Sequence, residues 1–517
     1  MPEGRPGPEP GPSFRWAGSD LIFTRTGELR SLRHPTTDAE LGPPWLTRGG
    51  TVHARVDDRP VQWATPEVTA DLDELESTYR SARVRAVVRH SFGAAWSVRL
   101  ALGNQTTESV DLDDLGFTWE APADRPTWAL AAGAAATYGV WGTDGRILGG
   151  VLTRGEVAGV TADGFELGSI VLPPGARYVM QWEWRWFDSA RTFAAHRGRQ
   201  RGDQHLPTSL DLPVGDVALV TVSADEALVL PRGLVQEPVG DQLELTASVP
   251  GTYRVEVRST GGATRYDLRW TPPLPTVLLA ATTHALAAPR NGAGIVVLPD
   301  VAAAQVVQAA LRLGCDETEV AEEALDLFTA RVLDRPGSDP RLATYLCGEY
   351  DRTGDVDLIE AAAQLVSGAT EFGPGLGLAT GHLALARLVA GLPPRLDPRR
   401  GRLDLVAGLE PVERAAAQLE AALAGGSDPY EALARLGRWL GAGLTGRPVR
   451  PRSPVAEAYA TAVLAGVPDD IARTAQRSWA ATAVEVGRWT EAGVLADLPA
   501  APAGSAHAWL AVAARTR

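Results

Sequence analysis

Apolar and polar residues alternate with a period of two through much of the chain before Pro272. The clearest run is ARYVMQWEWRWF, where Tyr178, Met180, Trp182, Trp184 and Trp186 share one face and Arg177, Gln181, Glu183 and Arg185 the other. That period belongs to a strand with one buried and one wet side. VRAVVRH (84–90) and WSVRLALGN (96–104) flank the turn-like SFGAA and predict a hairpin. A second β segment follows over 208–274. There TYRVEVR places Tyr253, Val255 and Val257 on one face, RYDLRW places Tyr266, Leu268 and Trp270 on one face, and STGGA between them reads as a glycine turn. The proline-rich TPPLP closes this segment.

Beyond it the period changes to 3.6. In EVAEEALDLFTARVLD the residues Leu325, Phe328 and Val332 recur along one stripe. Helix starts are signalled by Asp316 with Glu319, by Asp428 with Glu431 and Pro429 at the first helical position, and by Ser453-Pro454. About nine or ten helices of roughly 12–18 residues are predicted, joined by short Gly, Pro and Asp turns. Tryptophan follows the same division: eleven of the 15 lie between Trp16 and Trp270. The predicted fold class is therefore multidomain, β then α. A disordered Pro/Gly-rich tail (1–13) precedes a β-sandwich domain (14–207), a small β segment (208–274) and an α/α helical-hairpin domain (275–517).

Composition removes several chemistries. The formal charge of −14, from 63 acidic and 49 basic residues, opposes the counterion release on which nucleic-acid binding depends. No apolar run approaches the ~20 residues that span a bilayer, and PEGRPGPEPGPS lacks the basic and apolar regions of a secretory signal, so cytoplasmic residence is expected. The chain contains no lysine, and all 49 basic residues are arginines. Schiff-base, pyridoxal-phosphate and Walker-type phosphate chemistry are thereby excluded, since each needs a primary amine. Cys315 and Cys347 have no metal-ligand spacing and read as two buried thiols. The eight histidines form no HExxH, and G-x-S-x-G, G-x-G-x-x-G and phosphate-loop patterns are missing. No cofactor or metal is expected.

Two groups of phrases carry a resemblance. GELRSLRHP, LALGNQTTESVDLDDLGFTW and LPPGARYVMQWEWRW resemble the β-supersandwich that precedes the helical toroid in glucoamylases and disaccharide phosphorylases. TYLCGEYDRTGDVDLIEAAAQL (344–365) is similar to the helix, "T-G-D" turn and helix repeated in α/α toroids of carbohydrate-active enzymes. The resemblance implies a β-supersandwich and a toroid-like helical domain. It further implies glycan binding or processing, with catalysis retained or lost, and an oligosaccharide or glycan as partner. Positions 276–517 are few for a six-pair toroid, so a ring short of a hairpin, or one with trimmed loops, is expected. The rival reading is a non-catalytic interaction scaffold whose helices form an open solenoid groove.

Candidate chemistry is sparse. Gly354 and Asp355 have a structural explanation as a left-handed helix end and a cap for the next helix. Asp351, Thr353, Asp355 and Asp357 alternate like a calcium loop, but Val356 and Ala362 occupy its glycine and bidentate-glutamate positions. His382 reads as a helix-interface residue. Trp182, Trp184 and Trp186 read as core, which leaves Trp45, Trp128 and Trp141 as candidates for stacking on sugar rings. Glycosidic cleavage needs a proton-donating acid, and usually a second carboxylate. If the toroid comparison holds, the loop SGATEFGPGLG opens on the substrate face with Glu371 as its acid, and Glu349 and Asp351 lie on the opposite rim.

Overall fold

The computed structural model describes residues 10–37, 40–130, 132–161, 164–199, 205–260, 262–393, 402–448, 453–474, 479, 481–498 and 504–516. Its first half is built from two nine-stranded sheets. Strand Arg177–Phe187 lies at the centre of one, paired antiparallel to Trp96–Asn104 and to Ile147–Arg154. The expected alternation holds: Met180, Trp182 and Trp184 are buried, and the residues between them are partly exposed. SFGAA closes the expected hairpin, with Val84–Phe92 against Trp96–Asn104. The second sheet runs in the order 10–16, 19–24, 29–37, 48–56, 110–120, 164–172, 159–161. The two sheets pack face to face through a shared core, in which Trp119 of one meets Trp96 and Trp184 of the other edge to face at 5.2 Å each. Residues Pro10 to Ser13, expected in the tail, belong to the first strand, because Pro10 and Ser13 pair with Thr24 and Ile22. Residues 1–9 of that tail lie outside the described residues.

The segment 208–274 supplies two small sheets that share one core. STGGA turns Gly251–Ser259 back on Gly262–Thr271, and Tyr266, Leu268 and Trp270 are buried. Sheet pairing crosses the segments: Ala132–Gly133 pairs with this hairpin, and Arg447–Pro448, from among the helices, pairs with Trp128 and Ala129 at the edge of a large sheet.

Thirteen helices occur among the described residues. They are α1 (Ala190–Arg197), α2 (Leu274–Leu286), α3 (Val301–Leu313), α4 (Thr318–Asp334), α5 (Arg341–Thr353), α6 (Asp357–Gly368), α7 (Leu376–Val389), α8 (Pro411–Leu423), α9 (Pro429–Leu440), α10 (Pro454–Ala465), α11 (Asp469–Thr474), α12 (Ala483–Asp497) and α13 (Ser505–Thr516). Twelve follow Pro273, against the nine or ten expected, because short turns split the alanine-rich stretches and α11 has only six residues. Packing runs from α3 to α5, α7, α8, α10 and α13, and α13 returns to α3. The helices thus close on one another, with α2, α4, α6, α9 and α12 packed outside. An open solenoid groove is not what forms. None of the helices is long and apolar enough to cross a membrane.

Local signals fare unevenly. Gly354 ends α5 at φ 75°, and the Asp355 carboxylate accepts the Asp357 N–H at 3.0 Å ahead of α6. Asp428 accepts from Tyr430 at 2.8 Å with Pro429 opening α9. The box expected at Asp316 and Glu319 does not form, since α4 begins at Thr318 without a side-chain cap. Cys347 is buried, but Cys315 is only half-buried; both are free thiols.

Candidate functional site

The three tryptophans expected at sugar-facing loops are core residues. Trp45, Trp128 and Trp141 retain 4%, 1% and 4% of their surface. Trp45 is wedged between Trp186, at 4.7 Å, and the Arg125 guanidinium, 4.3 Å over its ring, and Arg197 lies 4.8 Å over Trp128. Neither ring keeps a face for a pyranose, because each is a cation–π partner inside the protein. Glu371 is exposed on the loop between α6 and α7 and lines neither cavity described below.

Glu349 is fully buried in α5. Its two oxygens are taken by Gln308 Nε2 at 2.6 Å and by the Arg352 guanidinium at 2.6 and 2.9 Å. Glu349 and Arg352 thus form a structural ion pair within α5, which the Gln308 amide ties to α3. Asp351, two residues on, points elsewhere. It accepts from Arg515 of α13 and lies 3.8 Å from Arg312 of α3.

Arg312, Asp351 and Arg515 line a cavity of about 780 Å³ walled by α7, α8 and α10, which Glu349 does not reach. The helices bring them together because α3, α5 and α13 run side by side in one direction. Gln305 bonds the Arg341 carbonyl, Gln308 the Tyr345 carbonyl and Arg341 the Ser505 hydroxyl, so the last turns of all three helices, with Arg312, Asp351 and Arg515, meet at one level. His382 of α7 faces the same space and has no hydrogen-bond partner among the described residues. Burial first, then the charges of Arg515 and Arg312, pushes its pKa down to about 3, so the ring is neutral.

Glu420 of α8 also lines this cavity. It accepts the Gly375 N–H at 2.9 Å, the Leu378 N–H at 2.8 Å and the Tyr459 hydroxyl. Gly375 has φ 90°, and no side chain of its own caps α7, so Glu420 caps α7 from a neighbouring helix. Burial raises its carboxyl to about 7 against the three hydrogen bonds that lower it.

A second cavity, of about 390 Å³, lies between the small β segment and the helices. Asp211, from the strand parallel to the hairpin, is held by Arg269 at 2.5 Å and Arg447 at 3.2 Å, and Arg269 reaches Asp497 of α12 at 2.5 Å. Around this network stand the hydroxyls of Ser209 and Thr490, the half-buried indole of Trp489 and the carboxylate of Glu457, the last on a helix whose other polar side chains are Tyr459 and Thr461. Carboxylates, guanidiniums and hydroxyls around an indole can hydrogen-bond a polyhydroxylated ligand while stacking on its C–H face. Glu457, Asp497 and Asp211 are the carboxylates that line it, the last two held by Arg269. Sequence reasoning missed Glu457 and Glu420. For Glu457 the available signal was an acid in a helix whose other positions are almost all apolar, whereas Glu420 shares its helix with Glu413, Arg414 and Gln418 and gave no such signal.

No protein-family description and no curated protein matches the sequence. Among solved structures, a polysaccharide lyase superposes with a TM-score of 0.57 at 12% identity, covering 92% of this chain and 81% of that one. The likeness is one of fold. A glycoside hydrolase family 81 protein from Clostridium thermocellum aligns over 91% of this chain and 78% of its own at 10% identity, with a TM-score of 0.19, too low to bear on the fold.

Proposed function

We propose that this is a carbohydrate-active protein that binds a glycan in the cleft between its small β segment and its helices. The observation that carries the reading is the convergence of Glu457, Asp497, the Asp211–Arg269–Arg447 network and the Trp489 indole on one space. The fold, shared in outline with a polysaccharide lyase, agrees with it, although fold alone assigns no chemistry. If the bound glycan is cleaved, Glu457 donates the proton to the leaving oxygen and Asp497 is the second carboxylate. The closed packing of the helices disfavours the rival scaffold, which needs an open groove.

The test is retention on a panel of immobilised neutral and acidic oligosaccharides, followed by turnover of whichever ligand binds. Trp489→Ala should weaken retention about tenfold, the loss of one stacking contact and its desolvated surface. Glu457→Gln should abolish any turnover while leaving retention, and Glu371→Gln should alter neither. Retention by the wild type that is indifferent to Trp489→Ala, or turnover lost with Glu371→Gln alone, would move the site away from this cleft.

A further inference from the structure

The larger cavity, within the helices, has a different chemistry from the cleft. Its charged end holds two guanidiniums, Arg312 and Arg515, and one carboxylate, Asp351. Arg515 is satisfied, donating to Asp351 and to the Thr344 carbonyl at 2.9 Å. Arg312 is not: its 3.8 Å approach to Asp351 is beyond hydrogen-bond distance, and it makes no other polar contact among the described residues. His382 beside it is neutral and unpartnered, so it can donate one N–H. Of the lining carboxyls, Asp351 is paired with Arg515, and the oxygens of Glu420 are taken by Gly375, Leu378 and Tyr459, so among the described residues the Arg312 guanidinium and the His382 ring are the polar groups left to meet a ligand.

Apart from Glu420 and the Thr380 hydroxyl, which donates to the Leu376 carbonyl at 2.8 Å, the rest of the wall is apolar. Leu385, Val389, Leu423, Val463 and Ile471 line it, and among the described residues no tryptophan, tyrosine or phenylalanine does. Leu385 and Val389 are 59% and 68% exposed, an unusual placement for large aliphatic side chains on an inner helix. A sugar ring would find neither an aromatic platform nor a set of hydroxyl-matching groups there. The volume of about 780 Å³ falls within the range of small-molecule sites.

We propose that this cavity binds an amphipathic organic anion, its single oxyanion head held by Arg312 and His382 and its aliphatic or aromatic body laid against the α7, α8 and α10 wall. A planar head pairs with the guanidinium in a two-point contact and supplies the charge that Asp351 leaves uncompensated. The apolar body covers Leu385 and Val389. This site is independent of the glycan cleft, which contains none of its residues.

Isothermal titration of the full chain with sodium decanoate, below its micelle concentration, tests the proposal, with methyl decanoate and acetate as controls. Decanoate should bind in the micromolar range, its uncharged ester at least tenfold more weakly, and acetate not measurably. Decyl phosphate in a parallel arm separates a carboxylate from a phosphate preference. Arg312→Gln should weaken decanoate at least tenfold with a nearly unchanged melting temperature, since the side chain has only a long, half-exposed ion pair to Asp351 and no hydrogen bond to lose. Leu385→Asp, at an exposed position that folding does not require to be apolar, should weaken it similarly. Absence of decanoate binding at 1 mM, equal affinity for acid and ester, or affinity indifferent to both variants would overturn the assignment.

Discussion

Glu420 offers the most direct test of how the helical part is held together. Its carboxyl is 2% exposed, and it accepts two backbone N–H groups of α7 and the Tyr459 hydroxyl. Burial nevertheless dominates and lifts it from 4.5 to about 7. Because the folded value lies above the unfolded one, the native state binds the extra proton between these limits. The associated stability is therefore fully present below pH 4.5 and is lost as pH rises through 7. At 1.36 kcal/mol per pH unit the whole change is about 3 kcal/mol. Glu420→Gln removes the titration. Its single oxygen can serve Gly375 and Tyr459, but its amide then faces the Leu378 N–H, a loss of about 1–3 kcal/mol. The variant should thus be the less stable protein at pH 5 and equal to or more stable than wild type at pH 8. Urea unfolding followed by helical ellipticity at several pH values measures the gap. A gap that is the same at pH 5 and pH 8 would refute the reasoning, because it would mean that Glu420 stays ionised in the fold throughout.

Other outcomes follow from single side chains. Trp184→Ala should cost about 3–5 kcal/mol, as expected for a large void between packed sheets. Trp184→Phe should recover most of this, since the indole N–H has no partner to lose; chemical denaturation of both variants distinguishes a core residue from a surface one. Asp355→Ala should cost about 0.5–2 kcal/mol through the missing acceptor ahead of α6, again read from denaturation midpoints. The His382 ring should show no titration in its proton NMR shifts between pH 5 and 8, because burial and two neighbouring guanidiniums disfavour its charged form; a midpoint near 6.5 would mean the ring is solvated.

The layers were legible in the sequence because they rest on local period. Arg177–Phe187 carries its buried face in its own alternation, and α4 carries Leu325, Phe328 and Val332 as a stripe. The tryptophans failed where context was distant: Trp45 follows two prolines and looks like a loop residue, yet Trp186 and Arg125, far along the chain, enclose it. The sites were less legible still. Arg312, Asp351, His382 and Arg515 come from four helices, and Asp211, Arg269, Arg447 and Asp497 from both halves of the chain. No spacing rule joins residues that only ring closure and strand pairing bring together. Glu371 illustrates the converse: its glycine-rich loop has the flexibility of a ligand-binding segment, but the loop turns its acid to solvent.

The pairing of Arg447–Pro448 with Trp128 and Ala129 has a consequence for the order in which the protein is made. Arg447 also bonds Asp211 and the carbonyls of Leu210 and Asp267, so one residue late in the chain ties a large sheet, a small sheet and the helices together. A ribosome emits the first sandwich hundreds of codons before this strand exists, at about 5–20 residues per second. Until then the edge at Trp128 presents unpaired backbone groups, and its indole is covered only on the side of Arg197 and Phe193. Truncations that end before position 446 should therefore yield a sandwich with an open, adhesive border, and a β half made on its own will stay monomeric only if that border is capped.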